Sequence, residues 1–292
     1  CGLLVAHKLV SAHLPECEEY LAPHDSWFVG TELFRNYLLE GRLILAGTVK
    51  EQFQKMLESY GDSPIIVRSS SIMEDGYDHA FSGKYASVFC TSQGTAEEKL
   101  GNFLNAIEEV YESVRNVSAQ EYRRKLHLTE KKEEMALLIQ RVAGHRQGDL
   151  YFPAAAGMGC SYNPYKWMEY LNPDAGMLRI VMGLGTRAVE RTPGDYPRLV
   201  GLDRPRANLR TTIGERHKYS QRNVDVIDLE EGRLVTKSLE AMKELLPEWQ
   251  KRLLLSRDTE AEDILRQRRK YHKVFFADCQ GLVETENFIH IM

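Results

Sequence analysis

The sequence predicts an α+β protein, a mixed α/β chain, and three observations carry that expectation. Short apolar runs bounded by turn residues, such as PIIVR at 64–68 and MALLIQRV at 135–142, have the length and composition of buried strands. Between them lie segments whose apolar residues recur at every third or fourth position, the period of an amphipathic helix. The composition is that of a globular domain: of 292 residues, 43% are hydrophobic and 27% charged, with 21 Gly and 10 Pro, which excludes collagen-like and disordered classes. The formal net charge of −4 gives no general field for nucleic acid or an anionic membrane, so neither is expected as a partner and any anion site must be local.

In chain order, VAHKLVSAHL, ELFRNYLLEGRL and VKEQFQKMLESYG read as helices, after which PIIVR changes the period to that of a strand. That strand is expected to deliver Arg68 to a long loop, SSSIMEDGYDHAFSGK, whose length without periodicity marks it as functional. YASVFCTS resumes as a strand. Leu100, Phe103, Leu104, Ile107, Val110, Tyr111 and Val114 mark one long helix from Thr95 to about Leu126, with room for a second at its end. The charged run from Glu121 to Glu134 reads as its solvated exit. MALLIQRV, YFPAAAGMGCSYNP, MLRIVMGLG and VDVIDL are the next strand candidates, and the last 55 residues read as mainly helical around a short VFFADC strand.

No apolar run reaches the roughly 18 residues of a spanning helix. The five cysteines are far apart and never form a CxxC pair, so a reducing cytoplasm is the expected location. The start at Cys1 and the stop inside the apolar FIHIM read as a fragment of a longer chain.

Two constellations could carry chemistry. Arg68-Ser69-Ser70-Ser71 with Gly83-Lys84 suits a phosphate, because a planar guanidinium grips two oxygens while hydroxyls and free amides satisfy others. The plainer reading is that Arg68 pairs with Glu74 or Asp75 and the serines make turns. Met182-Gly183-Leu184-Gly185, leading to Arg187 and Arg191, allows close approach of backbone to a ligand, yet lacks the third glycine of a dinucleotide fingerprint and reads first as a tight turn between packed elements. No HExxH pair and no nucleophile elbow is present, so metal hydrolysis and triad chemistry have little support.

Taken together, IIVRSSSIMEDGYDHAFSGKYASVF, LNAIEEVYESVRNVSAQEYRRKL, MALLIQRVAG and MGLG resemble blocks of the phosphoenolpyruvate synthase and pyruvate phosphate dikinase family, in its N-terminal PEP/pyruvate-binding domain. The resemblance implies an ATP-grasp-like fold whose two lobes clamp ATP and magnesium and pass a phosphoryl group to a histidine on a separate phosphohistidine domain of the parent chain. Pyruvate or a related acceptor would be met by other domains, and a glucan or antibiotic acceptor stays open. On this reading residues 1–144 form the first lobe with the Arg68 phosphate loop, 145–237 the second lobe with the GLG segment, and 238–292 a helical extension. Arg68 would hold the terminal phosphates, the stretch with Ser69, Ser70, Gly83 and Lys84 would close over them, and Gln140, Arg141 and Val142 would form the hinge that meets adenine. The chain departs from the pattern at Thr186, at Leu178 or Arg179 and in lacking the family's lysine and metal-binding acids. These departures keep open a regulatory domain that binds a nucleotide or partner without transfer, and imply an inactive isolated fragment.

Overall fold

The computed structural model describes residues 2–20, 25–74, 83–91, 93–125, 127–128, 132–165, 171–190, 192–207, 210 and 212–285. Its strands are β1 (Trp27–Val29), β2 (Ile65–Ser71), β3 (Ser87–Cys90), β4 (Met135–Arg141), β5 (His145–Gln147), β6 (Leu150–Phe152), β7 (Ala155–Cys160), β8 (Met177–Met182), β9 (Arg198–Gly201), β10 (Asn223–Asp228), β11 (Arg233–Ser238), β12 (Leu255–Arg257) and β13 (Phe275–Ala277). Helices and antiparallel sheets are mixed, so the chain is α+β as its sequence predicts. Among the described residues no helix is long and apolar enough to cross a membrane.

The chain divides into two compact units, one of residues 26–153 and 225–237, the other of residues 1–25, 154–224 and 238–292. The first is built on an antiparallel sheet in the order β1-β4-β2-β3. Strand β4 alternates, with Met135, Leu137 and Ile139 fully buried and Ala136, Leu138 and Gln140 on the other face, because successive side chains of a strand point to opposite sides. The helices Gly47–Tyr60 and Ala96–Glu112 supply Phe53, Met56, Phe103, Ile107 and Tyr111 to the same core, and the Phe53 and Phe103 rings meet edge to face at 5.1 Å. Helix Ala96–Glu112 begins in a capping box, with Thr95 accepting from the Glu98 amide and Glu98 reaching back to the Thr95 amide. A second sheet of this unit runs β11-β10-β6-β5.

Several expectations are corrected. The long helix stops at Glu112, and a separate one runs Val117–Lys125 after a 3-10 turn. Strand β2 continues through the serines to Ser71, since these pair in register with Leu137, Ala136 and Met135; Arg68 is therefore mid-strand and not at a loop's edge. The stretch from Glu121 to Glu134 is not wholly a solvated exit, because Glu133 is buried. The last long helical segment ends at Gln267, with Arg269 in the left-handed region.

In the second unit β7, β8 and β9 form an antiparallel meander, and β12 pairs with β13. The short helix Gln280–Val283 meets Glu248–Leu254 through Gly281, where an added Cβ would lie 2.3 Å from the Arg252 carbonyl oxygen and 2.9 Å from the Leu253 Cα. Both are backbone atoms and cannot rotate away. Gly281→Ala should therefore cost about 1–3 kcal/mol through forced separation of the helices, read as a lower melting temperature; an unchanged melt would show that the contact gives way freely.

Candidate phosphate-binding sheet face

Two residues of β2, Arg68 and Ser70, are exposed while Ile65, Val67 and Ser71 are buried. The register sets Arg68 opposite Leu138 of β4 and Ser87 of β3, and sets Leu138 opposite Phe28 of β1. One cross-strand row thus runs Phe28, Leu138, Arg68, Ser87 over the sheet face that the helical core does not cover. Ser70, opposite Ala136, and Gln140, opposite Ile66, belong to the flanking rows of that face, about 7 Å to either side by strand rise. An exposed aromatic ring, an apolar residue and a guanidinium in line offer a flat apolar surface next to a cation. Among the described residues the Arg68 side chain makes no hydrogen bond or ion pair.

The pairing of Arg68 with Glu74 is not found. Glu74 instead accepts from the Ser69 hydroxyl at 3.0 Å and from the Ser71 amide at 3.1 Å, while Asp75 lies outside the described residues. Ser69 therefore faces away from Arg68, as strand alternation requires. Arg141 also turns from this face, with its guanidinium 5.3 Å over the Tyr60 ring and Nη1 donating to the Ser63 hydroxyl at 3.0 Å. The Val142 amide donates to the Pro64 carbonyl at 2.9 Å, and its carbonyl accepts from the Tyr151 hydroxyl at 3.1 Å. Strand β1 pairs with β4 from Leu137 to Ile139, so this pairing ends just before Gln140. The Gln140 side chain donates through Nε2 to the Ser26 hydroxyl at 3.2 Å.

Most of the loop between Arg68 and Gly83 lies at 75–82, outside the described residues. At its described end Gly83 is exposed with φ +77°, and a Cβ there would meet nothing within 4 Å. Lys84 follows with Nζ 5.0 Å from the Tyr122 ring centroid, a cation held over an aromatic face.

What ties the two ends of this loop together is not visible in the sequence. The Glu133 carboxylate, 4% exposed, accepts from the Ser71 hydroxyl at 2.5 Å and from the Tyr85 hydroxyl, with Arg123 Nη1 at 3.8 Å. Ser71 ends β2 and Tyr85 precedes β3, so one buried acid clamps the loop's base. Burial, then the hydrogen bond to Glu133, pushes the Tyr85 hydroxyl well above the ordinary tyrosine range. An acid directly before an apolar strand is the only signal the sequence offers, and it is a weak one.

In the second unit Gly183 has φ +79° and turns the chain out of β8, while the Met182 amide and carbonyl are both bonded by the Gln221 side chain, at 2.8 and 2.9 Å. The following helix, Thr186–Val189, presents Arg187, whose Nη1 lies 2.8 Å from Asp195 Oδ2. Asp195 also accepts from the Arg222 and Asn223 amides and from Asn223 Nδ2, at 2.9, 3.1 and 2.9 Å. These bonds make the GLG segment a packed turn.

Among the described residues no three His, Cys, Asp or Glu side chains are grouped to hold a metal ion. Compared with known families, residues 42–267 match the pyruvate phosphate dikinase AMP/ATP-binding domain. No curated protein matches the chain.

Proposed function

The chain belongs to the family of pyruvate phosphate dikinase AMP/ATP-binding domains, and from that membership we propose that it binds ATP on the open face of the β1-β4-β2-β3 sheet for phosphoryl transfer to a histidine of a separate domain. The observation that carries this reading is Arg68, exposed on that face, without a side-chain partner among the described residues and in register with Leu138 and Phe28. Phosphoryl transfer asks mainly for positioning and neutralised charge. Arg68 would donate two N–H groups to terminal phosphate oxygens, Ser70 a hydroxyl, and Gly83 a backbone amide that no Cβ obstructs. Phe28 and Leu138 would lie under the base, and the end of β4 at Gln140 would meet its polar rim. Magnesium, implied with ATP by the family resemblance, has no cluster of three His, Cys, Asp or Glu ligands among the described residues.

The acceptor beyond the histidine is pyruvate or another small molecule, with the cytoplasm as the place of action. A regulatory reading, nucleotide binding without transfer, is favoured by Thr186 and Arg179, which stand where the family resemblance implies acids. Full-length protein incubated with radiolabelled ATP separates the two: acid-labile label on histidine is expected, and ATP binding with no label would establish the regulatory reading instead.

Gly83→Val probes the loop. Its φ of +77° would strain a β-branched residue, by about 1–2 kcal/mol, with no packing clash to add. Calorimetry should show ATP affinity falling about tenfold, as for loss of an amide bonded to a charged phosphate. Unchanged affinity would remove the loop from the site.

A further inference from the structure

A cavity of about 420 Å³ lies wholly within the second unit, and its walls include Arg179, Arg210, Tyr196, Leu199 and Pro197. Arg179 projects from the middle of β8, opposite Leu199 of β9 and Met158 of β7, and is half-buried. Among the described residues its side chain has no hydrogen bond and no ion pair. A half-buried guanidinium with no ion pair among the described residues leaves its N–H donors open to an anion from outside the chain.

Arg210 stands on another wall. Its Nη1 donates to the Tyr219 carbonyl at 3.0 Å, and its plane lies 4.6 Å over the Tyr219 ring. Tyr219 in turn packs edge-on to Tyr196 at 5.4 Å, so the arginine and both rings form one braced surface. Two carboxylates also line the cavity. Asp195 is saturated by Arg187, the Arg222 and Asn223 amides and Asn223 Nδ2, while Glu190 is exposed. The walls thus carry two guanidiniums against one accessible acid, a local excess of positive charge beside Tyr196, Pro197 and Leu199.

We propose that this cavity binds a phosphate monoester carrying a flat organic body, with Arg179 and Arg210 gripping the phosphate and Tyr196 against the body. Guanidinium forks match phosphate oxygens in pairs, and a dianion answers two cations better than a monoanion does. The volume is in the range of about 300–1,000 Å³ usual for small-molecule sites, larger than a bare phosphate needs, and the apolar wall would otherwise stay wet. The cavity shares no residue with the Arg68 face; of its residues Arg179 alone also enters the regulatory reading, as a position where the family resemblance implies an acid.

Phenyl phosphate is the probe, titrated into the whole chain by calorimetry. Arg179→Gln and Arg210→Gln should each weaken it by about tenfold or more, as for loss of a charged hydrogen bond, with Arg179→Lys retaining part of the affinity. Arg68→Ala should leave phenyl phosphate binding unchanged. Melting curves check that each variant is folded; should Arg179→Gln melt early, Arg179→Lys and Arg210→Gln carry the comparison. No binding of phenyl phosphate, binding by both glutamine variants as tight as that of the wild type, or loss on Arg68→Ala would overturn the proposal. Inorganic phosphate or benzoate binding as tightly would overturn the ligand class. ATP binding that depends on Arg68 while phenyl phosphate fails would sink this inference alone.

Discussion

Arg68→Ala in the full-length protein should reduce phosphoryl transfer by something on the order of a thousandfold, the scale of losing an arginine that stabilises transferring charge. The same variant should melt within roughly 0.5 kcal/mol of the wild type, because surface substitutions away from buried networks change stability little. Arg68 is exposed and has no side-chain partner among the described residues, so its removal leaves no buried group unsatisfied. The two readouts oppose each other by design. A variant that melts markedly lower and keeps its transfer rate would make Arg68 a structural residue and leave the open sheet face without a function.

How much of this is legible in the sequence depends on which physical signal each element carries. The long periodic segments are readable, because Leu100, Phe103, Ile107, Val110 and Tyr111 repeat at helical spacing and all are buried on one side. MALLIQR is readable as a strand, since its length and apolar content leave no helix to compete. The three-residue strands Trp27–Val29 and Leu255–Arg257 are not, because so short a run has no period and is fixed only by the strand it pairs with. The serine run misleads for a related reason. Serines read as turn formers by local preference, but β4 offers seven consecutive partners to β2, and tertiary pairing overrides that preference.

The candidate site is legible in residue type and less so in direction. Arg68, Ser70 and Gln140 do share a face, yet Ser69 and Arg141 project the other way, and only the strand register separates them. A strand that stops at Arg68, as the serine run suggests, offers no alternation by which to sort the serines. Glu133 gives no warning because a carboxylate in a charged run is ordinarily solvated, and its partners Ser71 and Tyr85 lie 62 and 48 residues away.

Glu133→Ala should destabilise the fold more than Gly281→Ala or Gly83→Val, by roughly 3–5 kcal/mol, the cost of breaking a buried charged network from one side. The Glu133 carboxylate is the acceptor for the Ser71 and Tyr85 hydroxyls and lies 3.8 Å from Nη1 of Arg123, which is itself only 14% exposed. Removing it takes charge and acceptors away from three enclosed donors at once, and water has little room to replace them. Glu133→Gln should cost less, because an amide oxygen still accepts from one hydroxyl. The loop ends would part as well, so ATP affinity should fall in Glu133→Ala even under conditions where the chain remains folded. Tyr85 adds a pH signature. Its folded-state value is raised, so its stabilising share is complete below the ordinary tyrosine value near 10 and is lost as the pH climbs through the higher folded value. Denaturant titrations of the wild type should therefore weaken above about pH 10 more steeply than those of Tyr85→Phe. A Glu133→Ala variant that loses less than about 1 kcal/mol would show that the cluster is hydrated and that the loop's base is held by something else.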